Sequence, residues 1–129
     1  MHAWVIGIIL LAAPLATATA QIPDSLPTGV TAQMIRNGQL LFEGPGLCTG
    51  CHGEDGAGIG DPGKNLTDAA WSHSDGTFEG ILTQIKAGVP REHSASGARM
   101  PERGASRLTE NQLRAVAAYV WSLSRRPAP

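Results

Sequence analysis

Lysine is nearly absent from these 129 residues: Lys64 and Lys86 stand beside eight arginines. Aromatic residues are few, with three Trp, two Phe and one Tyr, so aromatic side chains alone fill little of a core. The formal net charge is −1, without the basic excess of a nucleic-acid-binding surface, and no nucleic acid is expected as a partner. No segment alternates apolar and polar residues over the length of a strand, which argues against sheet-based folds. Repeats and low-complexity tracts are missing too. There are two cysteines, half the number that a four-cysteine zinc site requires. One domain is the natural reading of this length.

What the chain does have is the placement of those two cysteines. Cys48-Thr49-Gly50-Cys51-His52 is a C-x-x-C-H motif, the signal for covalent attachment of a c-type haem. Two thiols separated by two residues can each close a thioether onto one haem vinyl group. The histidine that follows is carried under the ring, where its imidazole can ligate iron as the proximal ligand. Cys48 and Cys51 are thus the expected attachment points of one haem c, and His52 its proximal ligand. A zinc site needs two further ligands, and His2, His73 and His93 offer no H-x₃₋₅-H spacing. A thioredoxin-like pair wants a βαβ context, and a plain disulfide across two residues is uncommon.

An exported protein fits this cofactor, because c-type haem is attached outside the bacterial cytoplasm. Residues 3–13 form an apolar run too short to span a bilayer comfortably, and Ala18-Thr19-Ala20 is an A-x-A cleavage site. Residues 1–20 are therefore read as a signal peptide cleaved before Gln21, and the mature protein as periplasmic. The n-region has no Lys or Arg, and residues 3–20 carry no charge, so a retained membrane anchor is the rival reading. Pro14, Thr17 and Thr19 make that segment a poor membrane helix. The net charge hides an asymmetry: residues 24–79 balance to −6 and residues 80–129 to +5. Such a dipole can orient a protein toward a charged partner, although an ordinary solvated surface would look the same.

Residues 21–30 read as an irregular leader. Thr31 can cap a helix to about Glu43, with Met34, Ile35, Gly38, Leu41 and Phe42 near one face, ended by Gly44-Pro45-Gly46. Half of the sixteen glycines fall between Gly44 and Gly63, which predicts a loop wrapped closely around something. A short helical turn is expected over residues 67–71. Ser74 or Asp75 can cap a helix through Phe78, Ile81, Leu82 and Ile85, closed by Gly88 and Pro90. Residues 89–108 read as a second long, polar loop. Thr109-Glu110-Asn111-Gln112 is a capping box ahead of an apolar stripe of Leu113, Val116, Ala117, Val120 and Leu123. Residues 125–129 are expected to be a frayed tail.

Helix, haem loop, short helices, ligand loop and helix: residues 31–124 resemble a class I c-type cytochrome. The resemblance rests on Cys48-Thr49-Gly50-Cys51-His52, Asn65-Leu66, Met100-Pro101 and the last helix with Tyr119. Asn65-Leu66-Thr67-Asp68 with Trp71 is similar to small bacterial cytochromes and to cytochrome domains of terminal oxidase subunits. The resemblance implies an all-α cytochrome c fold, three to five short helices around one covalently bound haem. It also implies a crossing of the first and last helices at Gly38, Phe42 and Tyr119. The family orients its proximal histidine with a backbone carbonyl before Asn-Leu, commonly beside a proline. Here Lys64 holds that position and Pro62 lies two residues earlier, which leaves the orienting carbonyl of His52 undetermined.

Met100 is the expected distal ligand. Met1 is the start and Met34 lies on a helix face, whereas Met100 sits in a polar loop beside Pro101, which restricts the backbone. A thioether favours ferrous iron and raises the potential relative to two imidazoles; a methionine merely packed on the ring edge is the bland alternative. His93 and then His73 are the rival ligands. Trp71 could touch a propionate or simply pack, and Arg91, Arg99, Arg103 and Arg107 could pair with propionates, face a partner or be solvated. Residues 58–63 match G-x-G-x-x-G but lack the strand and helix that motif needs, and the Asn65-Leu66-Thr67 sequon has no meaning in a bacterial setting.

With both axial positions filled by protein, the expected role is a one-electron carrier between redox protein partners, monomeric and not itself an enzyme. A haem enzyme or gas-binding protein with an open distal site is the alternative in another class. A third reading is a dedicated electron-transfer subunit of a periplasmic dehydrogenase or oxidase complex. A lysine ring like that of mitochondrial cytochrome c is absent, so the partners need not resemble that protein's.

Overall fold

Thr31 opens the first helix by accepting the Met34 N–H on its hydroxyl, one of the donors that a helix start leaves without a partner. The computed structural model describes residues 22–60 and 65–126. In it α1 runs Ala32–Glu43, α2 Thr49–His52, α3 Phe78–Ala87 and α4 Glu110–Leu123. Two 3₁₀ turns, Arg91–His93 and Glu102–Ala105, lie between α3 and α4. Among the described residues there is no strand, only an isolated antiparallel bridge between Val89 and Met100. The all-α fold is as expected. The signal peptide and its cleavage site, Pro62 and Lys64, and residues 127–129 lie outside the described residues.

Three local expectations change. The glycine-rich segment is not loop throughout, because the C-x-x-C-H motif itself winds into α2. Residues 67–71 make no helix. Asn65 takes the Thr67 N–H at 2.8 Å and Asp68 the Ala70 N–H at 3.0 Å, and such side-chain turns compete with helical bonding. The cap of α3 is Thr77, whose hydroxyl accepts the Gly80 N–H at 3.0 Å. Asp75 instead accepts from the Thr77 N–H and hydroxyl, at 2.9 and 2.7 Å. The capping box of α4 is present with both of its hydrogen bonds.

The core is organised by α4. Its residues from Ala115 to Leu123 are all buried, because α1 packs on one side and α3 on another. Where α1 crosses, Gly38 is indispensable: a Cβ there would sit 1.9 Å from the Ala115 carbonyl oxygen and 2.9 Å from the Tyr119 Cβ. One turn on, Phe42 meets Tyr119 edge to face, with ring centroids 5.3 Å apart and planes at 64°, a favoured aromatic geometry. On the other flank the Arg114 guanidinium lies 5.0 Å above the Phe78 ring and 3.2 Å from Glu79. Gly38→Ala should therefore force the helices apart and lower stability by about 3 kcal/mol. For a domain of this size that means a melting temperature lower by more than about 10 °C, measurable by circular dichroism.

Candidate cofactor site

Cys48 is the N-cap residue of α2, and Cys51 and His52 lie in the helix. At about 100° per residue, helical spacing gathers all three side chains within a third of the circumference, and all three line one cavity of about 710 Å³. The His52 N–H donates to the Cys48 carbonyl at 2.9 Å and the Gly53 N–H to that of Thr49 at 3.0 Å. Gly53, at φ 77°, ends the turn in the left-handed region. The Gly58 N–H then reaches the His52 carbonyl at 2.8 Å, drawing the following loop back over the motif.

The approach to α2 is equally tight. The Gly46 N–H donates to the Leu41 carbonyl at 2.7 Å, and a Cβ on Gly46 would lie 2.5 Å from that same oxygen. Leu47 is left-handed, φ 60°, and 59% exposed, a conformation costing an L-residue roughly 1–2 kcal/mol. The Cys48 thiol donates to the Gly46 carbonyl at 3.4 Å. Burial pushes that thiol up to about 11, so it is protonated at neutral pH. No disulfide joins the two cysteines. The His52 ring lies 6.5 Å from that of Phe42, tying the site to the α1–α4 contact.

The helices give the cavity an apolar wall: Ile81 and Ile85 from α3, Leu113, Val116 and Val120 from α4, and Leu108 between them. The helical five were expected on apolar faces, whereas Leu108, expected at the end of a polar loop, is buried with them; all six serve as core and wall at once. Met100 reaches the cavity from the loop after α3. Its backbone exchanges two hydrogen bonds of 2.9 Å with Val89. Gly88, at φ 67°, lies directly against this strap, where a Cβ would meet the Met100 carbonyl oxygen at 2.5 Å. Beyond Pro101 the chain is left-handed for three residues, Arg103, Gly104 and Ala105, at φ 55°, 63° and 58°. Glycine adopts this freely, but the other two cost roughly 1–2 kcal/mol each.

Arg103 restrains that strap. Its Nη1 donates to Glu110 at 2.8 Å and its Nη2 to the Leu108 carbonyl. Lys86 holds the other Glu110 oxygen at 2.7 Å. Hydrogen bonds from Lys86 and then Arg103 hold the Glu110 carboxyl below its ordinary value.

The remaining candidates divide. His93 is exposed in the Arg91–His93 turn and is not among the residues lining the cavity, whereas His73, also exposed, is at its edge. The Arg91–His93 turn contributes no lining residue, although Ser94 to Ser96 directly after it do. Trp71 lines the cavity half-buried, its indole flat against Gly76, where a Cβ would come within 2.5 Å. Arg99 and Arg103 line the cavity; Arg91 donates to the Gly97 carbonyl at 2.9 Å and Arg107 is exposed elsewhere. Residues 61–64, the segment directly before Asn65-Leu66, lie outside the described residues, and the orienting carbonyl of His52 stays undetermined. Missed from sequence were Val89 and the left-handed Leu47. Val89 meets Met100 across eleven residues, and no local pattern announces that pairing; the glycine cap at Gly88 was the only nearby signal.

These residues fit a covalently held haem: two thiols and an imidazole on one helical turn, a thioether from the loop after α3, and an apolar wall from α3 and α4. The cavity lies within the range of roughly 300–1,000 Å³ usual for cofactor sites. Among the described residues no group of three or more His, Cys, Asp or Glu could hold a metal ion. An all-α fold closing a C-x-x-C-H turn and a Met-Pro loop on one apolar cavity defines a class I c-type cytochrome, an electron-transport protein whose cofactor is haem c.

A narrower assignment follows from similarity to known proteins. The chain belongs to the family described as cytochrome c oxidase, cbb3-type, subunit III, whose model matches residues 33–120. It is 41% identical over 81 residues to the cbb3-type cytochrome c oxidase subunit CcoP of Rhodobacter capsulatus, a match covering 59% of this chain and 25% of that protein. CcoP of Rubrivivax gelatinosus is 36% identical over 80 residues, 61% of this chain and 23% of the relative. CcoP of Helicobacter pylori is 32% identical over 91 residues, 70% and 28%. The chain thus spans about a quarter of the length of the curated relatives it matches.

A pH test follows from the Glu110 cluster. The ordinary value of this carboxyl is 4.5 and the folded value is lower, so its contribution to stability is complete above 4.5 and disappears as pH falls through the folded value. Glu110→Gln should melt below the parent at pH 7, and the two melting curves should converge as pH drops below 4.5.

Proposed function

We propose that this chain is a periplasmic electron-transfer haem domain serving a terminal oxidase as a dedicated subunit or module. The similarity to CcoP proteins of cbb3-type oxidases carries the reading, and it favours the oxidase-subunit alternative over the free carrier expected first. Its partners would be redox subunits, in place of the independent monomer first expected. Among the described residues no helix is long and apolar enough to cross a membrane, and the cytochrome domain itself occupies residues 31–124.

In this reading Cys48 and Cys51 hold one haem c, His52 is its proximal ligand and Met100 its distal ligand. When bound, the haem supplies reversible one-electron chemistry at its iron. The chain's own work is to orient, to exclude and to dock. The α2 turn fixes both sulfurs and the imidazole relative to one another. Ile81, Ile85, Val116 and Val120 give the cavity an apolar wall that would cover one side of the ring, and surroundings with few mobile dipoles leave little to reorganise when charge changes. Arg99 lines the cavity and makes no hydrogen bond or ion pair with the described residues, so its guanidinium is available to a propionate. No nucleophile or general acid–base pair enters the proposal; the chain carries electrons and leaves catalysis to the oxidase.

Two measurements test this. The dithionite-reduced parent should show sharp c-type bands that CO leaves unchanged, while Met100→Ala should give a prompt Soret shift. A prompt shift in the parent instead favours the haem enzyme or gas-binding reading. Separately, the tagged chain purified from mildly solubilised membranes should bring down a multisubunit terminal oxidase. Elution alone in the soluble periplasmic fraction, with full competence to reduce an added oxidase, restores the free carrier.

A further inference from the structure

Met100 is carried by a strap that is costly to hold in place. Upstream, the double hydrogen bond to Val89 pins its backbone at 2.9 Å on both sides, and Gly88 leaves just enough room for the strap to lie on the end of α3. Downstream, Arg103 and Ala105 both sit in the left-handed region. The turn's own bonds are few: the Gly104 N–H to the Pro101 carbonyl at 3.1 Å, and the Ser106 N–H and hydroxyl to the Arg103 carbonyl at 3.1 and 2.7 Å. These bonds are local and would form in an ordinary turn as well. They do not explain why two L-residues hold an unfavourable backbone.

Among the described residues, the side-chain hold on the strained turn is that of Arg103. It runs from the strap to the first turn of α4, meeting Glu110 at 2.8 Å and the Leu108 carbonyl. Lys86, in the last turn of α3, grips the same carboxylate at 2.7 Å. One carboxylate thus joins the strap, α3 and α4. Arg103 also lines the cavity that Met100 enters, so the clamp closes at the site itself.

We infer that Arg103, Glu110 and Lys86 form a clamp holding a strained strap shut over the cofactor cavity, and that this clamp sets how readily the distal position opens to an outside ligand. The inference rests on the reading of Met100 as distal ligand. Arg103 and Glu110 are then positioning residues: they act on the site through the backbone that carries Met100. Relief of the left-handed turn favours opening, and the clamp opposes it. The two can be separated by mutation, because Arg103→Ala and Glu110→Gln cut the clamp while Ala105→Gly removes strain and leaves the clamp in place.

The experiment is CO binding to the reduced holoprotein, followed at the Soret band after stopped-flow mixing, with folding of each variant checked by far-ultraviolet circular dichroism. The parent should bind CO barely at all and Met100→Ala at once. Arg103→Ala, which loses an ion pair and a charge-assisted bond to a carbonyl, should raise the CO-accessible fraction about tenfold. Glu110→Gln should raise it about threefold, in keeping with a partly exposed pair. Ala105→Gly added to either should return the fraction toward the parent, a reversal that a merely weakened fold would not give. A closed parent whose clamp variants stay closed overturns the clamp and leaves the Met100 reading intact. Clamp variants that open but are not reversed by Ala105→Gly overturn the opposition of clamp and strain. A parent that binds CO as promptly as Met100→Ala overturns both.

Discussion

The contact of α1 with α4 at Gly38 is the constraint on which the rest depends. Because a hydrogen replaces a side chain there, the α1 backbone rests on the Ala115 carbonyl. Phe42 is thereby set against Tyr119 one turn further on. Phe42 in turn reaches His52, so the placement of the C-x-x-C-H turn is inherited from a helix crossing formed by a glycine. With α1 on one flank and α3 on the other, α4 is buried over most of its length. Its Leu113, Val116 and Val120 face inward onto a cavity. A chain with so few aromatic residues leaves space in its middle, and the class to which it belongs fills that space with haem.

The strain in the backbone is concentrated around that space. The non-glycine residues with left-handed φ among those described are Leu47, Arg103 and Ala105. Leu47 immediately precedes Cys48, and the other two follow Met100-Pro101. Unfavourable backbone gathers at sites where surrounding structure over-determines it, and here it brackets the attachment turn and the proposed distal ligand. The loops meet as well: a Cβ on Gly104 would lie 3.2 Å from the Gly46 carbonyl oxygen. The two segments that would hold the haem are therefore braced against each other as well as against the helices.

Much of this was legible in the residues because it is local. A capping box needs four consecutive residues, and Thr109 to Gln112 form one with both hydrogen bonds. The apolar period of α3 and the glycine at its end are equally local, as is C-x-x-C-H. The errors were local too: Ser74 or Asp75 was expected to cap α3, but Thr77 does so, and any of the three side chains can accept a backbone N–H. The turn over residues 67–71 failed because Asn65 and Asp68 bond their own neighbours. The residues left a free carrier and an oxidase subunit both open, and the similarity to CcoP weighs toward the second.

By itself the sequence determined the cofactor chemistry and the helices, since both arise from residues within one or two turns of each other. Only the tertiary structure decided which side chains face the cavity. His73 rather than His93 lies at its edge, Val89 pairs with Met100 across eleven residues, and Arg103 finds Glu110 and, through it, Lys86. Those outcomes depend on how a twenty-residue connection returns across α3. That path is set by packing against Gly88 and by charges brought together from separate elements, and neither has a signature at any fixed spacing along the chain.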